Sequence, residues 1–175
     1  MIAVEKPGKD PSLAANYRPI SLLSVCYKLL EHLALQRISP TVQSINQSVE
    51  GLLSPDQAGF RKSRSTCDQI AALTTFIKNG FLQNLKTGAI FLDLTAAYDT
   101  VWHTGLLYKL SKSMPYCQLV HPTGGSAASR STFRVHIGND TSSWRPQRNG
   151  LPQGTVLAPI LFNLYSNEWQ KIHLR

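Results

Sequence analysis

The chain has 175 residues, 42% hydrophobic and 16% charged, which suits about one globular domain and excludes a fibre or a disordered tail. Eighteen Lys and Arg against ten Asp and Glu leave a net charge of +8. Such an excess fits a polyanionic partner, because neutralising phosphates releases counterions, and fits a merely basic protein equally well.

Cys26, Cys67 and Cys117 contain no Cys-x-x-Cys pair, which excludes a disulfide framework and a zinc ribbon as leading ideas. No apolar run nears the ~20 residues of a membrane span, and the N-terminus lacks a signal-peptide core. An intracellular, non-secreted protein of nucleus or cytoplasm, with no membrane partner, is therefore expected.

In chain order, Lys6-Pro7-Gly8-Lys9-Asp10-Pro11 reads as a turn, since proline fixes φ and glycine admits positive φ. Leu22, Cys26, Leu29 and Leu33 recur at helical steps. They predict an amphipathic helix capped by Ser21 or Ser24 and ended before Pro40, with Lys28 and Glu31 on its other faces. Residues 43–55 read as a loop. Thr66 and Gln69 have the spacing of a capping box. Ile70, Leu73, Ile77 and Phe81 then continue as a stripe that Lys86 and Gly88 suit as an end. Arg61, Lys62 and Arg64 precede this helix, where free N–H groups favour anions. Cys67 is expected to pack against the stripe.

Residues 89–94, AIFLDL, are a short apolar run predicting a buried strand. Leu106, Leu107 and Leu110 suggest a short helix. Alternation through 133–137 predicts a half-buried strand, turned at Gly138-Asn139-Asp140. The loop 150–154, GLPQG, leads into a helix striped by Leu157, Leu161, Leu164 and Glu168, with Pro159 in its first turn. Helices followed by mixed strands and helices argue an α+β architecture.

Asp93 stands out chemically. An acid at the end of an apolar run is costly unless paired, so it reads as a metal-binding acid at a strand end or as a cap of the next turn. Asp99 follows six residues on and could equally be a turn residue. There is no P-loop, no nucleophile elbow and no histidine pair at ligand spacing.

Five blocks in order resemble one family. They are Lys6-Pro7-Gly8-Lys9, Asn16-Tyr17-Arg18-Pro19-Ile20-Ser21, residues 56–61 (DQAGFR), residues 91–103 (FLDLTAAYDTVWH) and the GLPQG loop. The family is the reverse transcriptases of LINE-type (non-LTR), Jockey-like retrotransposons. The resemblance implies a partial right-hand polymerase fold without a thumb: fingers-like residues 1–86 and an incomplete palm at 87–175, in which 117–132 is an atypical or frame-shifted segment. It implies RNA-templated DNA synthesis by two-metal nucleotidyl transfer, with Mg²⁺ as cofactor. Implied partners are an RNA template, a DNA primer, dNTPs and the rest of a retrotransposon polyprotein.

Roles carry over residue by residue. Asp93 matches the catalytic aspartate that holds both ions, with the Leu94 main-chain carbonyl as a further ligand. Tyr98 is similar to the aromatic gate that excludes a ribonucleotide 2′ oxygen. Gln153 and Gly154 match the loop that steadies the incoming nucleotide. Arg18 and Lys6 resemble triphosphate-binding cations, while Arg61, Lys62 and Arg64 resemble template-backbone contacts.

The family's aromatic-x-Asp-Asp box has no match. After Asp93 the acids are Asp99, Asp140 and Glu168, none adjacent to another. The chain, cut short before that box, is expected to be inactive alone. The alternative is a retroelement remnant that at most binds nucleic acid through its basic surface. Without the hairpin that carries the box, the strands expected near Ile90 and Phe133 lack a partner, and unpaired edges invite aggregation.

Overall fold

In the computed structural model, which describes residues 1–43, 52–113 and 132–168, the expected turn at Pro7-Gly8 folds the N-terminus back on itself. It joins β1 (Ile2–Glu5) to β2 (Tyr17–Ile20) in antiparallel register, from Ile2 opposite Ile20 to Glu5 opposite Tyr17. Gly8 takes φ +70°, which glycine adopts without strain. The Tyr17 hydroxyl donates to the Pro11 carbonyl and the Asn16 amide to the Asp10 carbonyl, closing the connection.

The other edge of β1 meets β4 (His136–Ile137) in parallel, and β4 turns at Gly138-Asn139 into β5 (Asp140–Thr141). The sheet order is β2-β1-β4-β5. A separate pair joins β3 (Thr132–Phe133) to β6 (Arg145–Pro146), with Phe133 opposite Arg145. The single strand expected through 133–137 is therefore split. At the break the Met1 ammonium donates to the Arg134 carbonyl, and Val135 exchanges hydrogen bonds with Ser142.

The first helix, α1 (Val25–Gln43), is capped by Ser24, whose hydroxyl accepts the Tyr27 amide. It runs through Pro40 and does not stop before it; proline's fixed φ is compatible with a helix, at the cost of one ladder bond and of crowding the carbonyl four residues back. The buried face also differs from the expected stripe. Leu22, Leu29 and Leu33 are exposed, whereas Glu31 and Ile38 are buried and Leu35 packs on the core. Four-residue spacing identified the helix, but its neighbours chose the face.

The second helix, α2 (Thr66–Leu82), has its capping box one residue earlier than expected. Ser65 and Asp68, not Thr66 and Gln69, exchange the two bonds. The helix ends at Leu82, ahead of the expected Lys86 and Gly88, because Asn84 enters the left-handed region (φ +56°) and Leu85 N–H returns to the Gly80 carbonyl. No residue of α2 is buried, and Cys67 is exposed and not packed in a core.

Residues 89–94 form no strand, and Ile90, Phe91 and Leu92 are 78%, 83% and 87% exposed. This run joins neither the β2-β1-β4-β5 sheet nor the β3-β6 pair among the described residues. Without a ladder its amides gain nothing from burial. Asp93 is accordingly exposed, not the buried strand-end acid that the sequence predicts.

The core lies between α3 (His103–Ser113) and α4 (Ala158–Ser166). Leu106 and Leu110 meet Ala158, Ile160 and Leu164, and Val101, Leu151, Ile38 and Leu53 close the cluster. Pro159 sits in the first turn of α4 as expected. The architecture is mixed α and β. The atypical segment 117–132 lies outside the described residues except for Thr132, as does most of the loop at 43–55.

Candidate nucleotide and nucleic-acid site

Two stretches some fifty residues apart are stapled by three hydrogen bonds, and a fourth braces the second stretch locally. Leu151 N–H donates to the Tyr98 carbonyl at 2.8 Å and Gly150 N–H to the Val101 carbonyl at 2.8 Å. His103 Nε2 lies 2.7 Å from the Gly150 carbonyl oxygen, which also receives the Gln147 side-chain amide at 3.0 Å. Gly150 adopts φ +87°, and a Cβ there would come within 2.9 Å of the Asp99 carbonyl oxygen. Only glycine permits that approach. His103 closes the fourth matched block without a role attached to it, and Gln147 lies outside the blocks; what both do depends on where the distant glycine arrives.

The same loop continues along β2. Gln153 bridges Ile20 in parallel, and its carbonyl accepts Ser21 N–H at 2.8 Å. Gly154 takes φ +101°, and a Cβ there would lie 3.4 Å from the Ser21 carbonyl oxygen. The loop's far end is held by Glu31, whose buried carboxylate accepts Val156 N–H at 2.9 Å. Glu31 was expected on a polar face of its helix, so this bond is another contact that periodicity misses.

Tyr98, Gln153, Gly154 and the Arg18-bearing strand thus share one continuous backbone assembly. The half-buried Tyr98 ring packs on Phe162, with centroids 5.2 Å apart and planes tilted by 55°. Burial pushes its phenol above the ordinary tyrosine value. Arg18 is exposed on β2 opposite Val4. A cleft of about 680 Å³ opens beside the loop, with Ser21, Glu31, His103, Trp144, Gln147 and Leu151 in its walls. The Ser21 hydroxyl is buried there without a hydrogen-bond partner among the described residues.

The side chains of the remaining candidate residues make no described hydrogen bond to this assembly. Asp93 is exposed and bonds to no other described residue, and Leu94 is 46% exposed. The Lys6 ammonium is held on the Ala15 carbonyl at 2.8 Å. Arg61 directs Nη1 at the Ser54 and Gln57 carbonyls, 2.8 and 3.0 Å away, so part of its donor fork serves the fold. Burial, reinforced by the neighbouring Arg64 charge, lowers its pKa. Lys62 and Arg64 are exposed.

Behind Arg61 runs a polar network that sequence reasoning missed. The Asn163 side chain, 2% exposed, accepts from Gln57 and donates to the Gly59 carbonyl. One turn later Asn167 accepts from Ser54 N–H and donates to the Leu52 carbonyl. Two asparagines four apart, one in the last helix and one at its C-cap, are the sequence trace of this network.

The donor set does not fit a pair of divalent ions. Two ions ~3.5–4 Å apart need more than one bridging carboxylate. Among the described residues no three His, Cys, Asp or Glu side chains cluster, and Asp93 stands alone. Nor is any described helix long and apolar enough to cross a membrane.

The family model for reverse transcriptase (RNA-dependent DNA polymerase) matches residues 4–173. The chain is 36% identical over 169 residues to the probable RNA-directed DNA polymerase from transposon BS of Drosophila melanogaster, covering 95% of this chain and 18% of that protein. It is 35% identical over 166 residues to the RNA-directed DNA polymerase from mobile element jockey of Drosophila funebris, covering 95% and 17%. The Pol polyprotein from the type-1 retrotransposable element R2 of Popillia japonica is 28% identical over 166 residues, at 94% and 22%. The chain thus spans about a fifth of the length of these curated relatives.

Proposed function

The chain belongs to the reverse transcriptase family, and from that premise we propose that it serves RNA-templated DNA synthesis by binding the incoming dNTP beside the 150–154 loop and the template along its basic surface. The observation that carries this reading is the staple of the Tyr98 turn onto the 150–154 loop. It gathers on one backbone the residues that match the family's nucleotide contacts. Tyr98 excludes the 2′ oxygen of a ribonucleotide, Gln153 and Gly154 steady the nucleotide, and Arg18 with Lys6 meets the triphosphate. Lys62 and Arg64, with the donors Arg61 has left, contact the template backbone.

Asp93 and the Leu94 carbonyl are the family-matched donors for Mg²⁺, yet they supply a single side chain. No step through the metal is assigned to these residues, and the 175-residue chain is not expected to join nucleotides by itself. The division into fingers (1–86) and palm (87–175) is part of the same proposal. It is supported by the order of the matched blocks, while Ile38 and Leu53 from the first part share a core with Val101 and Leu151 from the second. The DNA primer and the remainder of a retrotransposon polyprotein complete the proposed partners.

Primer extension on an RNA template with Mg²⁺ and dNTPs tests the catalytic half. No incorporation is expected, and synthesis by this chain that Asp93→Asn abolishes would overturn that reading. RNA affinity is expected to fall steeply with salt, by about 0.7 log units per log unit for each phosphate neutralised on a single strand. A flat response would remove the template-binding half.

A further inference from the structure

We infer that Arg134 and Trp144 form a stacking platform for an unpaired base of a single-stranded polynucleotide, an inference that rests on the template-binding half of the proposed function. The Arg134 guanidinium carbon lies 5.0 Å from the Trp144 ring centroid, and Trp144 is 64% exposed. A guanidinium set over an exposed indole puts a positive charge beside a π-surface, the combination that receives a base and its phosphate together.

The backbone under the pair is already ordered. Phe133 opposes Arg145, which sets 134 and 144 across from each other. The Met1 ammonium holds the Arg134 carbonyl at 2.7 Å, and Ser142 bonds Val135 in both directions. Little conformational entropy remains to be lost on binding.

Charge favours a polyanion. From Thr132 to Arg148 the segment carries Arg134, Arg145 and Arg148 against the single acid Asp140, and all three arginines are exposed. Position favours the template. Three residues after Trp144, Gln147 donates to the Gly150 carbonyl, and Trp144 and Gln147 line the same cleft as Leu151. The platform is therefore continuous with the proposed nucleotide-contact loop.

The test is a titration of the 175-residue chain with labelled oligo(rU), oligo(dT) and an RNA duplex. Trp144→Leu is expected to weaken single-strand binding about 5- to 100-fold, the range for one stacked base, with duplex binding little changed. Trp144→Phe is expected to keep most of the affinity. Arg134→Gln is expected to weaken it and to lower the salt slope by about one phosphate's share. Dependence on Trp144 with either oligo supports the platform, and the two arms show whether RNA, DNA or both are received. If the wild-type chain binds oligonucleotide but all three variants match it, the platform fails and the template-binding reading stands. If the wild-type chain binds no polynucleotide, both fall.

Discussion

His103 Nε2 lies 2.7 Å from the carbonyl oxygen of Gly150, a residue 47 positions later. A carbonyl only accepts, so the ring carries its proton on Nε2 and donates. This bond fixes the start of α3 against the loop whose next residues run along β2.

Replacing His103 by Ala is expected to cost about 1 kcal/mol, the net worth of one hydrogen bond, because the Gln147 amide still serves the same oxygen. His103→Gln should recover part of the loss. Urea titration checks this as a lower midpoint with an unchanged slope, and faster exchange of the Gly150 and Leu151 amides would accompany it.

Gly150→Ala is expected to destabilise by about 2–4 kcal/mol, combining a left-handed φ with a backbone collision. The collision is with Asp99, 2.9 Å from the added Cβ. Gly8→Ala is the control, since Gly8 also has positive φ but nothing within 4 Å of a Cβ. Its cost should be near 1 kcal/mol, from backbone conformation alone. Equal losses at the two sites would show that the contact with Asp99 is immaterial.

Asn163→Asp preserves shape while setting a carboxylate oxygen against the Gly59 carbonyl in place of the amide that donates at 2.6 Å. The site is 2% exposed, so about 2–3 kcal/mol should be lost. Thermal or urea unfolding measures it. A variant as stable as the parent would mean that the network contributes nothing.

The cap of α2 should be acid-sensitive. Side-chain and then backbone hydrogen bonds from Ser65 hold the Asp68 carboxyl below the usual aspartate range. The folded value being depressed, the cap's contribution is complete above the unfolded aspartate value and is lost as pH falls through the lowered one. Helical circular dichroism should therefore drop on acidification. Asp68→Asn should remove that transition.

Ile90, Phe91 and Leu92 project into solvent as a contiguous apolar run, which is expected to drive self-association. Phe91→Ser should reduce light scattering of the concentrated chain. Unchanged scattering would place the cause elsewhere, for example on α2, whose Phe76 and Phe81 are each 67% exposed.

Much of the local structure was legible in the residues. The Pro7-Gly8 turn, the Ser24 cap, the Gly138-Asn139 turn and Pro159 in the first turn of α4 all occur where expected. The capping box of α2 was displaced by only one residue, because serine before threonine offers the same hydroxyl. Tyr98 and Gln153 were marked by their blocks, and the fold joins them through Leu151. Residues 89–94 form no strand because an apolar run records a demand for burial, not the presence of a ladder to meet it.

The sequence alone settled what depends on neighbours within about four residues: where helices begin, where glycine turns the chain, and which family's blocks it carries. Tertiary structure alone decided which faces are covered. It buried Glu31 against Val156, 125 positions away, joined Gln57 to Asn163 across 106, and left Asp93 in solvent. The reason is that propensities and caps are local energies, whereas the burial of a polar group turns on a partner that arrives from a distant part of the chain.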